Sequence, residues 1–188
     1  MDSIAIAYWI QPAVAITIDY GQRPAPGEIR AATAASRAMG IEHYIIRADL
    51  SALGSGDLSG EPTLAIAPVS EWWPFRNQML VTLGAMKAVS LGIQRVLIGS
   101  LKTDEIHADG SADFVSALSS TLQLQEGNLV LEAPAISMTA TELIKASGVP
   151  FDVLAWAHSC HSSEYACGEC RGCRKHYETL RDLGEEPY

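Results

Sequence analysis

Ala13-Val14-Ala15-Ile16-Thr17-Ile18-Asp19-Tyr20-Gly21-Gln22-Arg23 is an apolar run that closes on a polar turn. Such a run predicts a strand buried on both faces, the kind found in parallel sheets. A Pro/Gly loop follows, and an alanine-rich stretch from about Glu28 to Met39, stopped at Gly40, predicts a helix. Tyr44-Ile45-Ile46-Arg47-Ala48 then reads as a second strand after a short connection. Strand, helix and strand in this order form the repeating unit of a parallel α/β sheet.

The rest of the chain extends the pattern in both directions. Upstream, Asp2 and Ser3 occupy helix-capping positions before Ile4–Ile10, a buried helix that Pro12 stops. From Asp49 to Ser70 periodicity dissolves into Gly, Ser and Pro, a length that marks a lid or binding loop. Trp72-Trp73-Pro74-Phe75-Arg76-Asn77 opens a helix with apolar positions at Leu80, Leu83 and Met86, closed by Gly92. Arg95-Val96-Leu97-Ile98-Gly99 is a third strand, and Asp104, Glu105, His107 and Asp109 lie on the loop beyond it. Ser111 caps the next helix, and Thr139-Ala140-Thr141-Glu142 is a capping box for another, ended by Gly148 and Pro150. The predicted fold is an open, mostly parallel α/β sheet with helices on both faces, formed as one domain over residues 1–188.

Ligands of such sheets bind at the C-terminal ends of the strands. Asp19–Arg23, Gly99-Ser100 and the acidic loop from Asp104 to Asp109 fall there, and Arg76-Asn77 is a candidate to join them. Each residue alone is equally consistent with a solvated loop end; their convergence on one edge points to a site. Net charge is −9, which argues against a broad nucleic-acid-binding face. No apolar run reaches membrane-span length and no secretory pattern stands at the N-terminus, so a cytoplasmic location is the default expectation.

All four cysteines lie in Cys160-x6-Cys167-x2-Cys170-x2-Cys173, near the C-terminus. Four thiolates this close suit tetrahedral Zn2+, with Gly168 and Gly172 letting the chain curl between ligands. An iron–sulfur cluster and disulfides are the competing readings. His158, His161 and His176 are nearby, but four sulfurs already complete the shell, so these histidines are expected around the ion or at the surface. A closed shell leaves no open coordination position, and the chemistry is expected elsewhere.

Tyr20-Gly21-Gln22-Arg23 after a buried strand, Pro74-Phe75-Arg76-Asn77 opening a helix, Gly99 ending a strand, and Cys167-Gly168-Glu169-Cys170-Arg171-Gly172-Cys173 occur in one order. This ordered set, spanning nearly the whole chain, resembles the 7-cyano-7-deazaguanine synthase family. Its members are PP-loop ATP pyrophosphatases of the queuosine pathway with an adenine nucleotide alpha hydrolase-like, Rossmann-like fold. The family's Ser-Gly-Gly-x-Asp-Ser phosphate loop is represented only by Met1-Asp2-Ser3, so the chain as given is expected to start inside that loop. Without the loop's backbone N–H groups, ATP binding is expected to be poor.

The resemblance implies a ligase that uses ATP to turn 7-carboxy-7-deazaguanine and ammonia into the corresponding nitrile through an adenylated intermediate. It implies Asp2 and Ser3 at the pyrophosphate, and Tyr20, Gly21, Gln22 and Gly99 along the nucleotide. Arg76 is assigned to an anionic phosphate or carboxylate, with a structural ion pair as the alternative. Asp104 and Asp109 are assigned to Mg2+ or the purine-like base, with surface acids as the alternative. Trp72 and Trp73 are candidates to stack on a base, although core packing is the commoner use of Trp. Zinc is then structural. The partners implied are ATP and a carboxylated deazapurine; exposed apolar helix faces make a homodimer plausible.

The departures from the family pattern are specific. Pro24 stands where the family has His, and His107, Gly110 and Ser111 replace a Tyr, a Cys and an Arg of the substrate loop. Met138-Thr139-Ala140 lacks the family's Lys. Two alternatives follow: a paralogue that adenylates a related acid for transfer to a protein or tRNA, and a zinc-stabilised scaffold without catalysis.

Overall fold

The computed structural model describes residues 1–186. The chain divides into two compact units, residues 1–74 with 140 onward, and residues 75–139.

In the first unit, α1 (Asp2–Ile10) precedes β1 (Val14–Asp19), α2 (Ala25–Met39) and β2 (Glu42–Arg47). β1 and β2 pair in parallel, Val14 opposite Glu42 and Asp19 opposite Arg47, as the strand–helix–strand pattern requires. The helix begins earlier than predicted, because Pro24 at the N-cap and Pro26 in the first turn already hold helical φ. It ends at Gly40, whose φ of +69° is the left-handed cap that glycine supplies. β1 is less enclosed than its composition suggests: only Ile18 falls below a tenth exposed. Among the described residues β1 pairs with β2 alone, so its other edge lacks a covering strand.

Residues 49–74 are more ordered than a bare loop. Leu58 and Ser55 are buried, the Arg23 N–H donates to Leu58 O at 2.8 Å, and the Asp57 N–H donates to Ser70 O at 2.9 Å. The two ends of the stretch are thereby tied together, and residues 61–66 stand out in solvent. The unit is completed by α5 (Ala140–Ser147), α6 (Phe151–Leu154) and α7 (Arg171–Leu183). α5 packs against α1 and α7, with Ala5 and Leu143 fully enclosed.

In the second unit, α3 (Arg76–Ser90) leads to β3 (Arg95–Leu97), then α4 (Ala112–Gln123) and β4 (Val130–Glu132). β3 and β4 pair in parallel, Arg95 opposite Val130 and Leu97 opposite Glu132. Val81, Ala85 and Ala88 of α3 meet Val115, Leu118 and Leu122 of α4 over Leu129 and Leu131. The inward face of α3 is thus carried by smaller residues than the large apolar positions of the sequence: Met86 is 66% exposed. Close approach to the sheet favours Ala and Val there. Ser111 caps α4 as expected, its Oγ accepting from the Phe114 N–H at 3.2 Å.

Both ladders are parallel and both strand pairs are bridged by a helix, so the parallel α/β class is observed. β4, only three residues long, is an addition to the predicted elements.

Candidate metal centre and nucleotide edge

The four cysteine Sγ atoms converge: all lie within 4.8 Å of one another. Cys170–Cys160 and Cys167–Cys173 are separated by 3.9 Å and 4.0 Å. A tetrahedron with metal–sulfur bonds of about 2.3 Å has edges of about 3.8 Å, so the cage fits Zn2+. These separations are far beyond a disulfide bond, and all four thiols are free.

Local backbone builds the cage. Cys170 is the N-cap of α7, accepting from the Cys173 N–H at 3.4 Å. Cys170 Sγ also accepts from the His161 N–H, and Cys167 Sγ from the Cys170 N–H, both at 3.3 Å. N–H donors of this kind stabilise thiolate over thiol. Those of Cys170 and Glu169 bring the Cys167 thiol down to about 7. Burial pushes Cys173 up to about 12 and raises Cys160. The buried pair therefore needs a cation to ionise, which is the chemistry a divalent metal provides. Gly172 is obligatory: a Cβ there would collide with the Ser159 carbonyl oxygen and the His161 ring.

The histidines stand around the cage, outside its ligand set. His176 is buried with Nδ1 3.0 Å from Ser159 Oγ, and desolvation lowers it to about 4. His158 Nε2 lies 3.0 Å from the Ser163 carbonyl and packs where a side chain at Gly27 would stand. The segment between the first two cysteines is clasped to α2: Arg30 donates to the Glu164 carboxylate at 2.9 Å and to its carbonyl at 2.8 Å.

In the same unit lie Asp2, Ser3, Tyr20, Gly21 and Gln22. Asp2 and Ser3 form the first turn of α1, where anions and phosphates are stabilised by the helix dipole. Asp2 Oδ2 accepts from Lys175 Nζ at 3.2 Å. Tyr20 is buried and its ring meets Trp73 edge-on, centroids 4.9 Å apart. Trp73 is thus a core residue, at 3% exposed, while Trp72 is half-buried. Gln22 is also buried: its Oε1 accepts from the Tyr20 N–H at 2.8 Å, and its Nε2 donates to Ile18 O and to Glu28 Oε2. The Gln22 side chain therefore shapes the turn from within. Gly21 has φ +95°, which favours glycine, and a Cβ there would crowd the Ser51 Cβ at 3.0 Å and Asp49 Oδ1 at 3.2 Å.

In the second unit, Gly99 follows β3 and Ser100 is buried. Asp104 Oδ2 accepts from the Leu101 N–H at 2.9 Å, and Asp109 Oδ2 from the Asn77 N–H at 3.0 Å. The Asn77 side chain returns the bond, donating to Asp109 O at 3.0 Å. One carboxylate thus closes a turn and the other satisfies the start of α3 beside Arg76. Among the described residues no carboxylate pairs with Arg76.

Two basic side chains of α7 and one buried acid escaped the sequence reading. Arg171 Nη1 donates to Glu71 Oε1 at 2.7 Å, and Lys175 reaches Asp2. Burial raises the Glu71 carboxyl, but hydrogen bonding from its backbone N–H and from the Arg171 guanidinium outweighs this and holds it below its ordinary value. The signal that was available is the four-residue spacing of Arg171 and Lys175 along the helix that Cys170 starts. No helix among the described residues is long and apolar enough to cross a membrane.

Comparison with known proteins identifies the family. The family described as "Queuosine biosynthesis protein QueC" matches residues 1–184. A 7-cyano-7-deazaguanine synthase of Methanothermobacter thermautotrophicus is 31% identical over 183 residues, covering 86% of this chain and 80% of the relative. Proteins of the same name from Pelobacter propionicus and Methanocaldococcus jannaschii are 29% and 27% identical, covering 90% and 92% of this chain and 82% and 85% of the relatives. The chain belongs to the QueC family, enzymes whose curated members carry the name 7-cyano-7-deazaguanine synthase.

Proposed function

We propose that this chain acts in queuosine biosynthesis as an ATP-dependent carbon–nitrogen ligase that makes 7-cyano-7-deazaguanine from 7-carboxy-7-deazaguanine and ammonia. The family match over residues 1–184 carries the reading, and the four-thiol cage at its C-terminal end supports it.

The chemistry begins with a carboxylate, which resists nucleophiles because its charge is delocalised. One carboxylate oxygen attacks the α-phosphorus of ATP, pyrophosphate leaves, and the acyl carbon becomes electrophilic. Ammonia adds there, AMP leaves with the bonding pair, and an amide results after a proton is lost. Adenylation of the amide oxygen by a second ATP, followed by departure of AMP and loss of the remaining nitrogen-bound protons, gives the nitrile. No protein nucleophile is required; positioning and charge neutralisation carry the rate.

Asp2, Ser3 and the first N–H groups of α1 are assigned to the pyrophosphate, and the Tyr20–Gln22 turn and Gly99 to the nucleotide. Arg76 is assigned to the substrate carboxylate or a phosphate, and Asp104 and Asp109 to Mg2+ or the purine-like base, each with one carboxylate oxygen also tying the loop. Cys160, Cys167, Cys170 and Cys173 would hold Zn2+, which would supply a structural cross-link rather than reaction chemistry.

The substrate loop favours a second reading. Ser111 is spent on capping α4, and a Cβ on Gly110 would stand 2.5 Å from the Asp104 carbonyl oxygen. The Arg and Cys expected there from the family pattern are thus replaced by residues built into this loop. A paralogue that adenylates a related acid and hands it to another acceptor would show this. Release of AMP and pyrophosphate, measured with 7-carboxy-7-deazaguanine and ammonia present or omitted, separates the readings. Release that depends on this acid supports nitrile formation. ATP binding without turnover of the acid contradicts it and favours the paralogue.

A further inference from the structure

Arg171 and Lys175 stand four positions apart on α7, one turn apart on one face of the helix. Each reaches a carboxylate distant in sequence: Arg171 to Glu71 at 2.7 Å, Lys175 to Asp2 at 3.2 Å. The acids are the more buried partners, with side chains 4% and 23% exposed. The start of the same helix is fixed by two thiols of the cage, Cys170 as N-cap and Cys173 one turn in.

We infer that α7 is a two-armed brace through which the metal centre positions the nucleotide side of this unit, with Lys175 and Arg171 as its positioning residues. Lys175 fixes the Asp2 carboxylate at the first turn of α1 and offsets its charge. Phosphate approaching that turn would otherwise meet an anion. Arg171 fixes Glu71, two residues before Trp73, and Trp73 supports the Tyr20 ring. Both arms are short and span sequence separations of 100 and 173 residues, so helix and targets are held together only in the folded state. The inference rests on the assignment of Asp2 and Tyr20 to ATP. The brace itself is testable without nucleotide.

The test uses the zinc-loaded full chain and the variants Lys175→Met, Lys175→Arg, Arg171→Ala and Arg171→Lys. Amide hydrogen exchange is followed in the absence of nucleotide. Lys175→Met is expected to speed exchange at Ile4 and Ala5, whose N–H groups bond to Met1 O, and to leave Trp72 and Asp57 unchanged. Arg171→Ala is expected to do the reverse. Zinc content should stay at the wild-type level, and the conservative variants should restore protection. In MgATP titrations, Lys175→Met and Arg171→Ala should each raise Kd about tenfold, the weight of one charge-assisted hydrogen bond.

Unchanged local exchange in both variants overturns the brace. So does loss of zinc from both, because the basic residues would then serve the cage itself. Faster exchange with an unchanged Kd overturns the link to nucleotide. If the wild-type chain binds no MgATP while exchange responds as expected, the ATP assignment fails and the brace stands.

Discussion

Phe75 has a backbone φ of +56° at the N-cap of α3, a left-handed conformation that costs a bulky residue energy. Its ring is 74% exposed, so little burial offsets the strain. Phe75→Gly is expected to raise stability in urea denaturation by about 1 kcal/mol, strain relief outweighing glycine's entropy cost. His176 gives a second prediction at this scale. Its folded value is near 4 against an ordinary 6.5, so the unfolded chain binds the proton first as pH falls. Stability should therefore decline between about pH 6.5 and pH 4, and His176→Gln should flatten part of that decline while leaving stability at pH 7.5 little changed. At the residue scale the sequence was most legible where chemistry is local. The four cysteines were read from spacing alone. Gln22 was not: its side chain serves Tyr20, Ile18 and Glu28 within the turn, which a list of polar residues at a strand end cannot reveal.

Among the elements, β1, α2 and β2 were readable because apolar run, helix former and cap glycine agree. β4 was missed because three residues carry too little periodicity, although Leu129 and Leu131 alternate into the core. α7 was missed for a different reason. Its buried positions are Gly172, Cys173, His176, Thr179 and Leu180, so the helical period is written in residues that read as metal chemistry or polar surface. That helix also carries the sharpest steric prediction. Gly172→Ala should push Cys173 away from the other thiols and lower zinc content well below one equivalent, measured by elemental analysis after gel filtration. Ser111→Ala removes the hydroxyl that accepts from Phe114 and should cost about 1 kcal/mol in urea denaturation. Full retention of stability would show that the cap bond is replaced by water.

For the whole molecule, the family match over residues 1–184 places this chain more securely than any single loop does, and the parallel strand–helix–strand units and the thiol cage are consistent with it. The division into units lay beyond a sequence in which strands and helices simply alternate; it depends on which strands pair. The candidate site was legible as sets of residues at strand ends. The braces that hold those sets, Lys175 to Asp2 and Arg171 to Glu71, join positions too far apart in sequence for spacing to reveal. The central claim is the formation of a nitrile by ATP-driven capture of ammonia. Mass spectrometry of the product formed from 7-carboxy-7-deazaguanine, MgATP and 15N-ammonia tests it most directly. The account predicts 7-cyano-7-deazaguanine carrying the heavy nitrogen in its nitrile, with AMP and pyrophosphate released. Release of AMP and pyrophosphate dependent on a different acid, with no labelled nitrile, would contradict it.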